Sequence, residues 1–193
     1  MKLNTCIILN GCAGIGKDTI ANLIVAYYGY TKCEFKEGLY IETAKYFNIN
    51  TDIFVRRARD RALKETPWGP LNNGTILSPR EALIYVSEVI IKPNKGSDYF
   101  GNLAVDKCNK QKLNSVVFSD SGFEDEVRPL SKIYKYMIIC HLYRNNFTWG
   151  DDSRRYIAGI HNTVGIHLIT GKPDKAVKDI FNYVTSVKNN THK

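Results

Sequence analysis

The chain has 193 residues, 44% hydrophobic and 24% charged, with a formal net charge of +8 at pH 7. That length suits one α/β domain with a full core, and the composition excludes disordered, fibrous and membrane-spanning classes. The positive balance suits a binder of anions, with nucleotides, nucleic acid and anionic surfaces all admissible on charge alone.

In chain order, Thr5–Leu9 reads as a central strand, apolar on both faces as buried parallel strands are. The short apolar run after a single lysine is too brief for a signal segment. Next comes Gly11-Cys12-Ala13-Gly14-Ile15-Gly16-Lys17-Asp18-Thr19, with the spacing G-x-x-x-x-G-K of a phosphate-binding loop between strand and helix. Three glycines let the backbone wrap closely around a polyphosphate, successive N–H groups face the anion, and Lys17 adds a full charge. Asp18 stands where Ser or Thr is usual, and the hydroxyl that would help hold Mg²⁺ arrives one position later as Thr19. Ile20, Leu23, Ile24 and Tyr27 then mark an amphipathic helix ending near Gly29.

Lys32–Phe35 reads as a second strand and 36–47 as a helix. Asp52–Glu65 carries Arg56, Arg57, Arg59, Arg61 and Lys64, a solvated face from which one or two cations could reach an anion site. Residues 67–75 form a turn-rich connection. Ser78-Pro79-Arg80-Glu81 carries a capping-box signature, which places Arg80 in the first turn of a helix that Pro93–Gly96 should break. A helix over 99–110 precedes a buried strand, Ser115–Asp120, whose terminal acid lies where ligands bind in open α/β sheets. Asp120 can hold metal or substrate there, or simply cap the next helix. Residues 124–134 read as a helix and 136–142 as a strand, with His141 a structural histidine in its plainer reading. Arg144–Tyr156 is a polar and aromatic excursion containing Arg154 and Arg155, either a lid over the transferring group or an exposed loop. Gly165–Ile169 is the last strand, and Pro173 starts a final helix.

The alternation predicts a three-layer α/β/α fold with a parallel sheet of about five strands, in one domain over 1–193. Inserts are expected at about 48–112, for substrate, and about 143–158, for the lid. The five scattered cysteines (Cys6, Cys12, Cys33, Cys108, Cys140) have no C-x-x-C pair, which predicts reduced thiols in a cytoplasmic setting and no zinc site.

Several of these segments, by order and spacing, resemble the bacteriophage deoxynucleoside monophosphate kinases of the P-loop nucleoside monophosphate kinase superfamily. They are the G-K-D-T ending of the loop, Phe35-Lys36, Arg61-Ala62-Leu63-Lys64-Glu65, Ser78-Pro79-Arg80-Glu81-Ala82-Leu83, Phe100-Gly101, and Ser119-Asp120 with Phe123 and Glu126. The resemblance implies transfer of the ATP γ-phosphate to a (deoxy)nucleoside 5′-monophosphate. Gly11, Cys12, Ala13, Gly14, Ile15, Gly16, Lys17, Asp18 and Thr19 would hold ATP and Mg²⁺, with Thr19 and Asp120 as metal ligands. Lys36, Arg61 and Arg80 would hold the acceptor phosphate, and Lys17, Asp120, Arg154 and Arg155 would serve the transfer. Family members often carry an arginine where this chain has Gly122, so the role of that cation does not carry over. A cytoplasmic enzyme (host cytoplasm if viral) is implied, as a homodimer and without a nucleic-acid or membrane partner. Two other readings remain: a P-loop kinase of another small metabolite, of dephospho-coenzyme A or shikimate type, and a nucleic-acid-associated P-loop NTPase.

Overall fold

The computed structural model describes residues 2–69, 74, 76–150, 154–160 and 162–190. In chain order these form β1 (Leu3–Asn10), α1 (Lys17–Tyr28), β2 (Thr31–Cys33), α2 (Lys36–Tyr46), α3 (Thr51–Arg59) and α4 (Pro79–Tyr85). A π-helical stretch (Val86–Ile91) leads into α5 (Lys92–Lys95) and α6 (Tyr99–Lys110). Then come β3 (Ser115–Ser121), α7 (Glu124–Val127) with a 3₁₀ turn (Arg128–Lys132), β4 (Tyr134–Tyr143), β5 (Thr163–His167) and α8 (Pro173–Asn190). The chain divides into two compact units, Met1–Phe35 with Gly101–Lys193, and Lys36–Phe100.

The first unit is a parallel five-stranded sheet in the order β2-β3-β1-β4-β5. Helices cover both of its faces, which is the predicted three-layer α/β/α architecture. The cover explains why β1 is buried from Thr5 to Asn10 rather than alternating. Ile7 and Leu9 pack with Ile20 and Ile24 of α1 and Ile180 and Val184 of α8. Cys6 and Ile8 pack on the other side with Cys108 of α6 and Val127 of α7. Fully burying each such aliphatic side chain contributes about 1.5–3 kcal/mol. A register shift between Ile8 and Asn10 leaves Asn10 opposite Ser121 of β3 and His141 of β4, just before the glycine loop. Gly101 is a close-approach residue, because a Cβ there would fall on the Glu126 carbonyl.

The second unit is helical, with Tyr40, Ala44, Phe47, Phe54, Ala82 and Val86 among its buried residues. The capping box is present with both arms: the Glu81 N–H donates to Ser78 Oγ at 3.2 Å, and Glu81 Oε2 accepts the Ser78 N–H at 2.8 Å. Such a cap contributes about 1 kcal/mol.

Several expected boundaries shift, β5 for example lying at Thr163–His167 rather than 165–169. The helix ends within the expected Pro93–Gly96 break, at Lys95 with Gly96 as its cap, but Pro93 itself is carried inside it, after a π stretch. A proline ring clashes with the carbonyl four residues back, and a local i−5 register relieves this. The Lys92 N–H bonds Ser87 O, and the Asn94 side chain covers the Ile90 carbonyl at 2.7 Å. Residues 124–134, expected as one helix, form α7 and a 3₁₀ turn through Pro129, and β4 starts early at Tyr134. Tyr134 is 1% exposed, and its hydroxyl donates to Leu113 O at 2.7 Å, so burial holds the strand to that point. All five cysteines are buried free thiols, and among the described residues no helix is long and apolar enough to cross a membrane.

Candidate active site

The glycine loop sits at the carboxyl end of the central strand, where β1 gives way to α1. Gly11 sits in a tight place: a Cβ would lie 3.1 Å from Leu142 O and 3.2 Å from Ile15 Cγ2. Gly14 (φ 74°) and Gly16 (φ 118°) are required by conformation, since L side chains rarely adopt these angles. Cys12 and Ile15 bury their side chains in the core, so their contribution to the loop is backbone; Ala13 is exposed. Gly16 caps α1 without a side-chain oxygen, leaving the first-turn N–H groups of a twelve-residue helix to an anion.

Lys17 is 9% exposed, and its ammonium donates to Gly11 O at 2.6 Å and Cys12 O at 2.8 Å. Burial first, and the charge of Arg154 second, bring its pKa down to about 8, against the opposing pull of Cys12, Asp18 and Asp120. Protonated Lys17 is the form that binds phosphate. ATP affinity is therefore expected to weaken by about an order of magnitude as pH rises from 8 to 9.5, a range in which the phosphates no longer titrate. Calorimetric titration across that range checks the slope, which should be absent in Lys17→Met. The folding sign is the opposite. Between pH 8 and Lys17's ordinary value the folded state binds fewer protons than the unfolded one, so Lys17's contribution to stability rises with pH.

Asp18 accepts a hydrogen bond from Ser119 Oγ at 2.9 Å and pairs with Lys32 at 2.7 Å. It thereby ties the first turn of α1 to β2 and β3. Asp120 Oδ1 accepts the Phe35 N–H at 2.9 Å, ahead of α2, whereas α7, the next helix after β3, has Phe123 at its N-cap and no side-chain cap. The Asp120 charge also reaches Lys17. Thr19 is exposed on α1. Thr19, Asp18 and Asp120 offer only hard oxygen donors, a set that suits Mg²⁺ held chiefly by substrate phosphates and water.

The expected lid, 143–158, is described in part; Asp151, Asp152 and Ser153 fall outside the described residues. Phe147 lies next to Gly14, 3.6 Å from where a Cβ would be, and Trp149 packs against the core. The Tyr156 hydroxyl donates to Leu142 O at 2.7 Å. His141 is structural: Nε2 lies 2.8 Å from Ile157 O and would donate to it in the neutral ring, and burial lowers its pKa. The Arg154 stem lies on Gly122, so that a Cβ there would sit 2.6 Å from Arg154 Cβ and closer still to Cγ and Cδ. A side chain at position 122 would therefore meet Arg154, which occupies its space. Arg155 is exposed and donates from Nη1 to Arg154 O at 2.6 Å.

Beside the loop is a cavity of about 250 Å³, lined by Ile15, Gly16, Thr19, Arg144, Leu168 and Thr170 among others. Arg144 is held by Thr170 Oγ1 at 3.0 Å and lies over the Phe147 ring at 4.8 Å. The turn at Thr170–Gly171 escaped the sequence reading. In a parallel sheet the turn after β5 must emerge on the same side as the glycine loop, and Gly171 (φ 75°) marks it. Another cavity, about 280 Å³, lies at the amino ends of β1 and β4, near Lys2 and Tyr134, away from the loop.

The other expected site residues belong to the second unit. Lys36 begins α2. Arg61 is exposed in the turn after α3. Arg80, in the first turn of α4, pairs with Glu65 at 3.1 Å, and its N–H donates to Lys64 O at 3.0 Å.

No protein-family model and no curated protein sequence matches this chain. Among solved structures it is similar to a gluconokinase from Sinorhizobium meliloti, at 11% identity and TM-score 0.49, over 100% of this chain and 98% of that one. A sugar kinase from Janibacter is similar at 12% identity and TM-score 0.45, over 95% of each chain. An uncharacterized protein from Eubacterium ventriosum is similar at 16% identity and TM-score 0.44, over 96% of this chain and 99% of that one. At such values the fold assignment rests on this chain's own strand order and loop.

Proposed function

We propose that the protein is an ATP-dependent phosphotransferase that moves the γ-phosphate of ATP to a (deoxy)nucleoside 5′-monophosphate, giving the diphosphate. The donor half rests on one observation: the Lys17 ammonium is buried on the glycine-loop carbonyls, within the field of Arg154 and Asp120. Phosphoryl transfer needs in-line positioning, neutralised oxygens and exclusion of water rather than covalent help from the protein. Gly11–Thr19 hold the donor phosphates, Lys17 neutralises the β and γ oxygens, and Arg154 and Arg155 meet the charge of the transferring group. The cavity at Arg144 and Thr170 takes the base of ATP. Thr19 and Asp120 would hold Mg²⁺, which would supply positive charge toward the donor phosphates. No general base is needed, because the acceptor phosphate is already anionic.

The acceptor half rests on the sequence resemblance, which gives Arg80, Arg61 and Lys36 to the acceptor phosphate. In the second unit Arg80 pairs with Glu65. Arg80→Ala is expected to raise the acceptor KM about 10- to 100-fold with a smaller effect on kcat, the loss of one charge-assisted contact. Steady-state kinetics at saturating ATP measure it. By the same resemblance the protein acts as a cytoplasmic homodimer without nucleic-acid or membrane partners.

The deciding experiment is a coupled ADP-release assay with ATP, Mg²⁺ and the full panel of nucleoside and deoxynucleoside monophosphates, with gluconate and dephospho-coenzyme A alongside. Turnover with a monophosphate is expected. Turnover only with a non-nucleotide acceptor replaces the acceptor assignment. Salt-dependent DNA binding without monophosphate-stimulated turnover favours a nucleic-acid-associated NTPase instead.

A further inference from the structure

We infer that Asn10 and Gly122 form a dock that holds Arg154 in place beside Lys17 before any nucleotide arrives, which makes Asn10 a positioning residue for the transfer. The catalytic part of this inference rests on the reading given under Proposed function; the dock itself does not.

Asn10 ends β1, directly before the glycine loop, and is fully buried. A buried amide is costly unless satisfied, and the apolar neighbours Ile7, Ile8 and Leu9 show what suffices for the sheet. The amide of Asn10 engages all of its polar atoms. Nδ2 donates to Ser121 O and to Arg155 O, each at 3.3 Å, and Oδ1 accepts the Ile157 N–H at 2.9 Å. The acceptance from an N–H fixes which amide atom is oxygen. Two of the three partners flank Arg154 on its C-terminal side, and the third ends β3.

Gly122 completes the arrangement from below. Its φ is not in the left-handed region, so glycine is there for space: the Arg154 stem occupies the place of a side chain. The Arg155 N–H also donates to Gly122 O at 3.4 Å, pinning the backbone next to Arg154. The Arg154 charge is felt at Lys17. Two cations drawn into one partly buried site repel each other, and an unanchored segment would move apart. The clamp withstands that repulsion, and a polyphosphate relieves it. A cation already in place spares the ordering cost that a loose lid arginine pays on closing.

The test uses Gly122→Ala and Asn10→Leu in the full chain, with two readouts. The first is the order parameter of the Arg154 side-chain Nε–H in nucleotide-free protein, from ¹⁵N relaxation. It is expected near about 0.85 in the wild type and below about 0.6 in both variants. The second is kinetic: kcat should fall about 10- to 100-fold in each variant, with the ATP KM within about threefold. Neither variant should add to Arg154→Ala in a double-mutant cycle. An Arg154 side chain as ordered in Gly122→Ala as in the wild type overturns the dock. Full additivity of Gly122→Ala with Arg154→Ala overturns its catalytic purpose. If Asn10→Leu does not fold, Gly122→Ala decides by itself. If the wild type transfers phosphate to no acceptor, the functional reading fails and the order parameter still decides the dock.

Discussion

Lys17→Met is expected to abolish most phosphoryl transfer, with a fall on the order of 10³-fold in kcat, while the protein stays folded. Methionine keeps the length and burial of the side chain and removes only the charge. Two opposing stability terms follow. The carbonyls of Gly11 and Cys12 lose their donor, at a cost of about 1–3 kcal/mol for a buried group left unpaired. Against this, the protein no longer buries an ammonium that is both desolvated and repelled by Arg154. The melting temperature should therefore move little. Coupled ADP release and a thermal melt by circular dichroism test both halves, and undiminished turnover would remove Lys17 from the mechanism.

Arg154→Ala should be nearly as severe for catalysis, with kcat lower by about 10²- to 10³-fold and ATP affinity changed far less. An arginine that meets charge developing on the transferring group acts in the transition state more than in the ground state. Arg154→Lys should recover only part of the loss, because a point charge lacks the planar fork that fits phosphate oxygens. A second consequence can be signed. The Arg154 charge lowers the Lys17 pKa, so its removal raises that pKa, and the fall in ATP affinity with pH should shift upward from about 8. Single-turnover kinetics and calorimetry at several pH values separate the two effects. An unaltered kcat with a shifted Lys17 titration would make Arg154 an electrostatic neighbour and no more.

The cations of 52–65 illustrate where sequence reading has less to work with. Arg56, Arg57, Arg59, Arg61 and Lys64 crowd one stretch, and helical spacing alone cannot say which of them serve a ligand. Arg57 and Arg59 turn out to lie over aromatic rings, Trp68 at 5.3 Å and Tyr40 at 5.5 Å, while Arg61 remains exposed in a turn. Gly122 is a sharper case. As a residue in a string it reads as the loss of a family cation. Its space is filled by Arg154, which is supplied from another part of the chain.

The glycine loop, the parallel α/β alternation and the capping box at Ser78 were legible from the residues alone. Each depends on neighbours within a few positions: a spacing of glycines, a period of apolar side chains, a serine three residues before a glutamate. Local geometry carries that information, and the structure returned it with small shifts at the ends. The site was decided by tertiary structure. Asn10 reaches a carbonyl 145 positions away, and Lys17 feels an arginine that no spacing rule connects to it. The cavity at Thr170 exists because the sheet order brings the turn after β5 to the side of the loop. These contacts depend on which strands become neighbours, and strand order follows from how two apolar cores close over the sheet, which no single segment encodes.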